Sequence, residues 1–580
     1  MISLMRLYIS SPVTFFNRIY LYSIVPQRFA NRSPAPSKGH PMTRVANLAS
    51  FFVALLICLE LTAHDNWNQF RGPGGNGIYA NSDLPIEFDE SKNVRWKTLI
   101  SDSGWSSPVI WEHEIWVTSG SDEKKELRVI CIDLNTGIIK HNIKVFDMIK
   151  REVDPAYIYD SPHLNSPATP TPVIDEKHVF VSFGSQGIAC LNRKTGEQVW
   201  QRRDLRIYQP VRQGSSPIVD DKRLYVAFDG TDKQFFIALD KTTGKTDWKT
   251  NRETNTDWKQ TLRQRGISSD KGGKPNDNKK SFATATIIEV HGKRQLIAPG
   301  AEAIISYNPD TGEELWRTVH PGGFNVAARP IYANGLVYVF TSGLNNILMA
   351  IRPDGTGDVS DTHVVWSTMK STPSIPSPVI VNDLLFMVTD RGGIVRCLNA
   401  NSGIELWKGR LGGDHWASPV YTNGKLYFSS KQGEVSVIES SRQELQVISR
   451  NRLNAMFIAS PAISNSSLIL RSTTHLYCLA NGYRRTQKQI AADVYPSAEK
   501  NTDSNANTRP NAADAKKTAG QPMKNASRTD WDAAYEKLMS DPAIRQKIKS
   551  SGATKEQIIE FLKKKAAADT TDQQENTPNK

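Results

Sequence analysis

Between residues 93 and 482 the apolar positions fall in short bursts rich in β-branched and aromatic residues, LVYVF, KLYFSS, RLYVAF, HVFVSF and LLFMV among them, with polar turns between. Bursts of this length entered through Asn334-Gly335 or Asn423-Gly424 predict tight hairpins, because both turn residues tolerate positive φ. Each burst follows a Ser/Thr-Pro-Val-like start: Ser107-Pro108-Val109, Thr171-Pro172-Val173, Ser216-Pro217-Ile218, Arg329-Pro330-Ile331, Ser377-Pro378-Val379, Ser418-Pro419-Val420 and Ser460-Pro461-Ala462. Thr284-Ala285-Thr286 is a degenerate copy in the one large gap, which makes eight starts. A third strand and turn then follow as small-x-Asp/Asn-x-x-Thr/Ser-Gly-x-x-x-Trp. Examples are CLNRKTGEQVW ending at Trp200, ALDKTTGKTDW at Trp248, SYNPDTGEELW at Trp316 and CLNANSGIELW at Trp407. Four strands in about 40–45 residues predict a propeller blade, whose sheet cannot cover its own faces and must stack on its neighbours.

The ends of the array predict how it closes. The eighth unit runs through LILRSTT and HLYCLANG and stops without its Trp strand, while NVRWKTLI at 93–100 belongs to no unit. If the first completes the last, the ring has no exposed sheet edge at its seam. The expectation is an all-β, eight-bladed β-propeller of four-stranded antiparallel blades, with Trp96 in the final Trp slot. Trp366 fills the slot of blade five after a longer insertion, while His141 and Val447 replace Trp in blades one and seven.

This repeat resembles the pyrroloquinoline-quinone-type unit of quinoprotein alcohol dehydrogenases and of the propeller lipoprotein in the outer-membrane β-barrel assembly machinery. The resemblance covers about 93–482 and implies the fold, while function has to be read from a site. WNQFRGPGGNG, from Trp67 to Gly77, is also similar to the start of many secreted bacterial proteins with this repeat. Residues 64–92 are expected to be a docking arm, since the Gly-rich stretch lacks the Gly-Lys-Ser/Thr ending of a phosphate loop.

Charge changes the picture only when divided along the chain. Most of the net +13 belongs to the ends: residues 64–482 carry 48 Lys/Arg against 45 acids, so the body offers no basic footprint for nucleic acid. Residues 1–63 read as a leader and signal peptide with a true start near Met42. Arg44 supplies the positive start, Leu48 to Leu59 the apolar core, and Ala63 a small residue for cleavage. A retained anchor is the other reading, although 12 apolar residues are short for about 30 Å of hydrocarbon. Cys58 follows Ile57, where a lipoprotein signal has a small residue. The expectation is an exported protein, periplasmic or secreted, monomeric, with no transmembrane span once the signal is removed.

Cys131, Cys190, Cys397 and Cys478 all fall at the small position of the repeat, which Ala238, Ser306 and Ala350 fill elsewhere, so they read as core fillers. Asn192, Asp240, Asn308 and Asn399 recur just before Thr/Ser-Gly, where their side chains bond the turn backbone rather than calcium. The resemblance implies, for a quinoprotein dehydrogenase, adjacent cysteines, a calcium site and a catalytic aspartate. No adjacent cysteines or Cys-x-x-Cys-His stretch occur, and no residue is assigned a catalytic or metal role.

The segment before each innermost strand lies near the mouth of the central channel, so the ligand-binding candidates are Trp105, His163, Asn165, Arg212, Gln213, Asn325, Arg329, Asp414, His415 and Trp416. They suit a protein, peptide or glycan of the cell envelope, with no cofactor expected and pyrroloquinoline quinone with calcium as the alternative. Insertions at 142–166 and 249–281 read as lids or decoration. Beyond the ring, 483–528 reads as a disordered linker. A small helical module is expected at 529–566, from Trp531, Tyr535, Leu538 and the Thr554/Gln557 capping box, and a tail at 567–580.

Overall fold

A computed structural model of the chain describes residues 66–149, 165–252, 277–320, 323–343, 346–494 and Lys555. The chain divides into units 1–497 and 498–580, and the fold below is that of the first. The expected leader, most of the expected linker, the helical module and the tail lie outside the described residues.

Eight antiparallel sheets form the ring. Blade one shows the plan, with strands Val109–Trp111, Glu114–Ser121, Glu126–Asp133 and Ile139–Asp147 running in order from the axis outward. Hairpins suffice for this because each strand pairs with the next in sequence. The seam closes as expected: Lys92–Leu99 pairs antiparallel with His475–Arg484, placing Trp96 opposite Cys478 and Lys97 opposite Tyr477. The longer insertion of blade five adds Gly357–Asp358 in parallel to the outer strand of blade four, beside Trp316 and Arg317. Where the linker was expected to begin at 483, the strand continues to Arg484 and a helix spans Gln487–Val494. Its Asp493 reaches back to Arg485 and to Lys97, both largely buried, so ion pairing with the closing strand gives this short helix its tertiary support.

The repeat is a device for joining blades. The small residue of each third strand lies opposite the outer-strand Trp, as in the pairs Cys190/Trp200, Ala238/Trp248, Ser306/Trp316, Ala350/Trp366 and Cys397/Trp407. Each Trp then reaches the next blade. Trp96 lies over Gly137, where a Cβ would come within 2.7 Å of the ring, and its Nε1–H donates to the Leu134 carbonyl at 2.9 Å. Trp200, Trp248, Trp366 and Trp407 donate in the same way to the carbonyls of Lys241, Pro309, Ala400 and Ser441. Trp316 is the exception: it donates to Gln295, whose amide passes the contact on to the Pro353 carbonyl of blade five. In blade one His141 stacks on Trp116.

The four cysteines are free and buried. Burial pushes the Cys478 thiol up to about 11 and that of Cys397 to about 12, and it raises Cys131 and Cys190 as well. The thiolate is the nucleophile, so these four should resist a thiol reagent at pH 8 in the native protein and react in denaturant. Rapid native labelling of any of them would contradict their place in the core. The turn carboxamides and carboxylates cap their own turns: Asp240 accepts from the Thr242 and Thr243 amides, and Asn192 from those of Lys194 and Thr195.

His320 is buried, and desolvation pushes its pKa down to about 4. A base with a folded pKa below its unfolded value of about 6.5 contributes stability that is complete above pH 6.5 and is lost as the pH falls towards 4. Asp229 acts in the opposite sense, since burial raises it to about 6 against the pull of Arg252. Comparing wild type with His320→Gln isolates the histidine. Urea melts at pH 7.5, 5.5 and 4.5 should show the wild type losing up to about 3 kcal/mol relative to the variant. Parallel pH profiles would refute the assignment.

Candidate functional site

All eight innermost strands start at one end of the ring, and there the Ser/Thr of each start joins its neighbour. The Ser107 amide donates to the Thr171 hydroxyl at 2.9 Å, Thr171 to Ser216 at 2.9 Å, and Ser216 to Thr284 at 3.0 Å. On the far side Arg329 donates from its amide to Ser377, Ser377 to Ser418, Ser418 to Ser460, and Ser460 back to Ser107, all at 2.8–3.0 Å. This belt joins seven of the eight blade junctions at the inner rim, as the Trp contacts join six at the outer one. It breaks only after Thr284, where Arg329 stands in place of a hydroxyl residue.

Arg329 is turned to another use. Its guanidinium donates to the Phe70 carbonyl, to Gln69 Oε1 and to the Thr286 hydroxyl. It thereby grips the N-terminal arm, which crosses the ring. The Trp67 and Asn68 carbonyls accept from the amides of Ile110 in blade one and Ile174 in blade two. Arg71 donates to the carbonyls of Ser377, Pro378 and Pro419 in blades six and seven, at 2.6 Å for Pro378. Gly77 and Tyr79 then bond with Tyr421 of blade seven. Gly75 is needed for this crossing, because φ is +71° and a Cβ would sit 2.1 Å from Arg329 Cζ. Both arginines are buried, which pushes each down to about 9, still cationic at neutral pH.

Above the arm lies a cavity of ≈ 450 Å³, to which the segment preceding the innermost strand of every blade contributes. Phe70 of the arm joins its lining. Trp105 and Trp416 meet edge-to-face at its border, 6.0 Å between centroids, and the Lys431 ammonium lies 3.9 Å from the Trp416 ring centroid. Phe282, Phe324 and Ile375 add apolar wall, while Asn165, Asn346 and Lys280 add polar groups. Six of the seven belt hydroxyls also line it; Ser377 does not. Among the described residues no carboxylate does.

Of the sequence candidates, Trp105, Asn165, Asn325 and Trp416 line the cavity. The Asn325 side-chain oxygen is buried with no hydrogen-bond partner. The other five described candidates turn away from it. Arg212 pairs with Asp122 at 2.7 Å, and Gln213 donates to the Ala227 carbonyl at 2.5 Å. Asp414 accepts from the Gly392 amide. His415 is buried against Phe428 with its Nε2 2.9 Å from the Gly412 carbonyl, and desolvation lowers its pKa. Arg329 holds the arm, and His163 lies outside the described residues. The sequence reading missed Phe70, Lys280, Phe282 and Phe324, and it took the belt hydroxyls only as punctuation of the repeat. Their recurrence at a single repeat position was the available signal.

A calcium-bound quinone requires six to eight oxygens around the metal, with carboxylates among them. The lining supplies hydroxyls, amides and an ammonium, and among the described residues no three His, Cys, Asp or Glu side chains converge. The described lining residues do not fit that group. No described helix is long and apolar enough to cross a membrane.

No curated protein sequence matches the chain. Among solved structures, BamB from Moraxella catarrhalis is 12% identical over 68% of this chain and 99% of its own, with a TM-score of 0.46. A europium-containing methanol dehydrogenase is 12% identical over 73% of this chain and 92% of its own, with a TM-score of 0.52. The computationally designed Ika8 protein is 10% identical over 68% and 100%, with a TM-score of 0.42. At these identities the second likeness speaks to the fold. The sequence profile of the outer membrane protein assembly factor BamB matches residues 161–264 and 237–489, more than half of the chain. The chain therefore belongs to the pyrroloquinoline-quinone-like propeller family described by the outer membrane protein assembly factor BamB.

Proposed function

We propose that this protein is an exported, non-catalytic propeller that binds a protein, peptide or glycan of the cell envelope at the mouth of its ring. The observation that carries this reading is the cavity itself: aromatic rings, amides and hydroxyls gathered from all eight blades, with no carboxylate among its described residues. Such a lining buries apolar surface and fixes orientation with a few polar groups, which is what recognition needs. General acid–base or metal chemistry needs titratable groups at the reacting centre, and among the described lining residues only Lys280 is ionisable. The family description, an outer membrane assembly factor, is consistent with a protein partner.

Full-length wild type and a Trp105→Ala/Trp416→Ala variant, both immobilised, can be challenged with envelope extract. Retention of the principal partner should fall about tenfold or more in the variant, as expected for central aromatic anchors. Unchanged retention would show that the mouth is not the site. A chain ending at Val494 tests whether the residues beyond the ring add a second contact, and an unchanged partner set would remove that part of the proposal.

A further inference from the structure

We infer that the mouth is a donor-rich, blind pocket for the C-terminal carboxylate of a peptide whose last side chain is apolar. This deepens the binding function proposed above and rests on it. The starting point is the belt. Each of its seven hydroxyl oxygens accepts a backbone N–H from the neighbouring blade and donates to no described residue. A hydroxyl has one proton to give, and a buried donor left unpaired costs free energy. Ser107, Thr171, Ser216, Thr284, Ser418 and Ser460 are buried and all border the cavity, so six donors surround one space.

The charges around that space point the same way. The Lys431 ammonium stands over Trp416 at its border. Beneath the floor residue Phe70, the cations Arg71 and Arg329 are held by carbonyl, amide and hydroxyl oxygens, with no carboxylate beside them. Asp390 touches the lining only through Ser374 and Ile375, to which its oxygens are committed. A site with many donors and no carboxylate among its described residues suits an acceptor-rich anion better than a neutral sugar, whose hydroxyls also need acceptors.

Two further features select a chain end. The arm crosses from blades one and two to blades five, six and seven beneath the cavity, so a ligand enters from one side only. Phe282, Phe324 and Ile375 sit beside the donors, which places apolar wall next to a carboxylate seat. The last residue of a polypeptide carries both groups on one carbon, and carboxylate capture is a recurring mode of peptide recognition.

The test uses the full chain and three probes: acetyl-Ala-Ala-Phe with a free carboxylate, its C-terminal amide, and inorganic phosphate. Binding is followed by tryptophan fluorescence and calorimetry. The free acid should bind at least about tenfold more tightly than the amide, since charge-assisted bonds are the stronger ones. Ser216→Ala, which removes one donor, should narrow that ratio, with its melting point measured in parallel; the acid–amide comparison stands if that variant does not fold. Equal affinity for acid and amide, phosphate binding as tightly as the peptide, or binding by none of the three would each overturn the assignment. If the partner capture by the Trp105/Trp416 mouth still holds in those cases, only the ligand class falls.

Discussion

Replacing Trp96 with alanine is expected to destabilise the ring by about 3–5 kcal/mol, the cost of truncating a buried aromatic that leaves a cavity. Trp96 is 8% exposed, packs on Gly137 of blade one and donates to the Leu134 carbonyl. The same substitution at Trp407 removes comparable packing and a comparable hydrogen bond to Ser441. The difference lies in connectivity. The strand that carries Trp407 follows its sheet partner through a short turn, whereas Lys92–Leu99 meets His475–Arg484 only after the chain has gone round the ring. Closing that loop costs chain entropy that local hairpins avoid. Hydrogen exchange along 92–99 should therefore accelerate in Trp96→Ala while the strand bearing residue 407 stays protected in its own alanine variant. Equal melting points and unchanged exchange at 92–99 would deny the seam its role.

Arg71→Met should have the second largest effect. The methionine keeps much of the volume but leaves the carbonyls of Asn76, Ser377, Pro378 and Pro419 without the guanidinium they share. Unsatisfied buried acceptors cost about 1–3 kcal/mol each, so a loss on the order of 3 kcal/mol follows even if some find new donors. The local consequence is more diagnostic than the global one. With its central anchor gone, the arm from 66 to 78 should become a site of protease nicking while the blades remain resistant. The floor of the cavity would open at the same time. An arm as resistant as in wild type would mean that Arg329 and Trp67 hold it unaided.

The ring was legible because its repeat encodes three physical necessities at fixed spacing. Proline and a hydroxyl start six of the eight inner strands, glycine admits the neighbouring tryptophan, and a small residue leaves room opposite it. The orphan strand at 93–100 and the incomplete last blade could be matched for the same reason. The cavity was legible only in outline. Loop position identified Trp105, Asn165, Asn325 and Trp416, but whether a side chain points to the axis depends on partners distant in sequence. Arg212 turns to Asp122, and Arg329 turns to an arm 260 residues away in sequence. Hydroxyls hide in this respect, because one serine can hold a neighbouring backbone and still offer a proton to a ligand.

The direct contest is between recognition and redox chemistry at the mouth. Purified protein is incubated with pyrroloquinoline quinone and calcium, desalted, and read by cofactor absorbance and by dye reduction with alcohols and sugars. A cavity with no carboxylate among its described residues predicts no stoichiometric uptake and no turnover. One quinone retained per chain, with sustained dye reduction, would contradict the binding account outright.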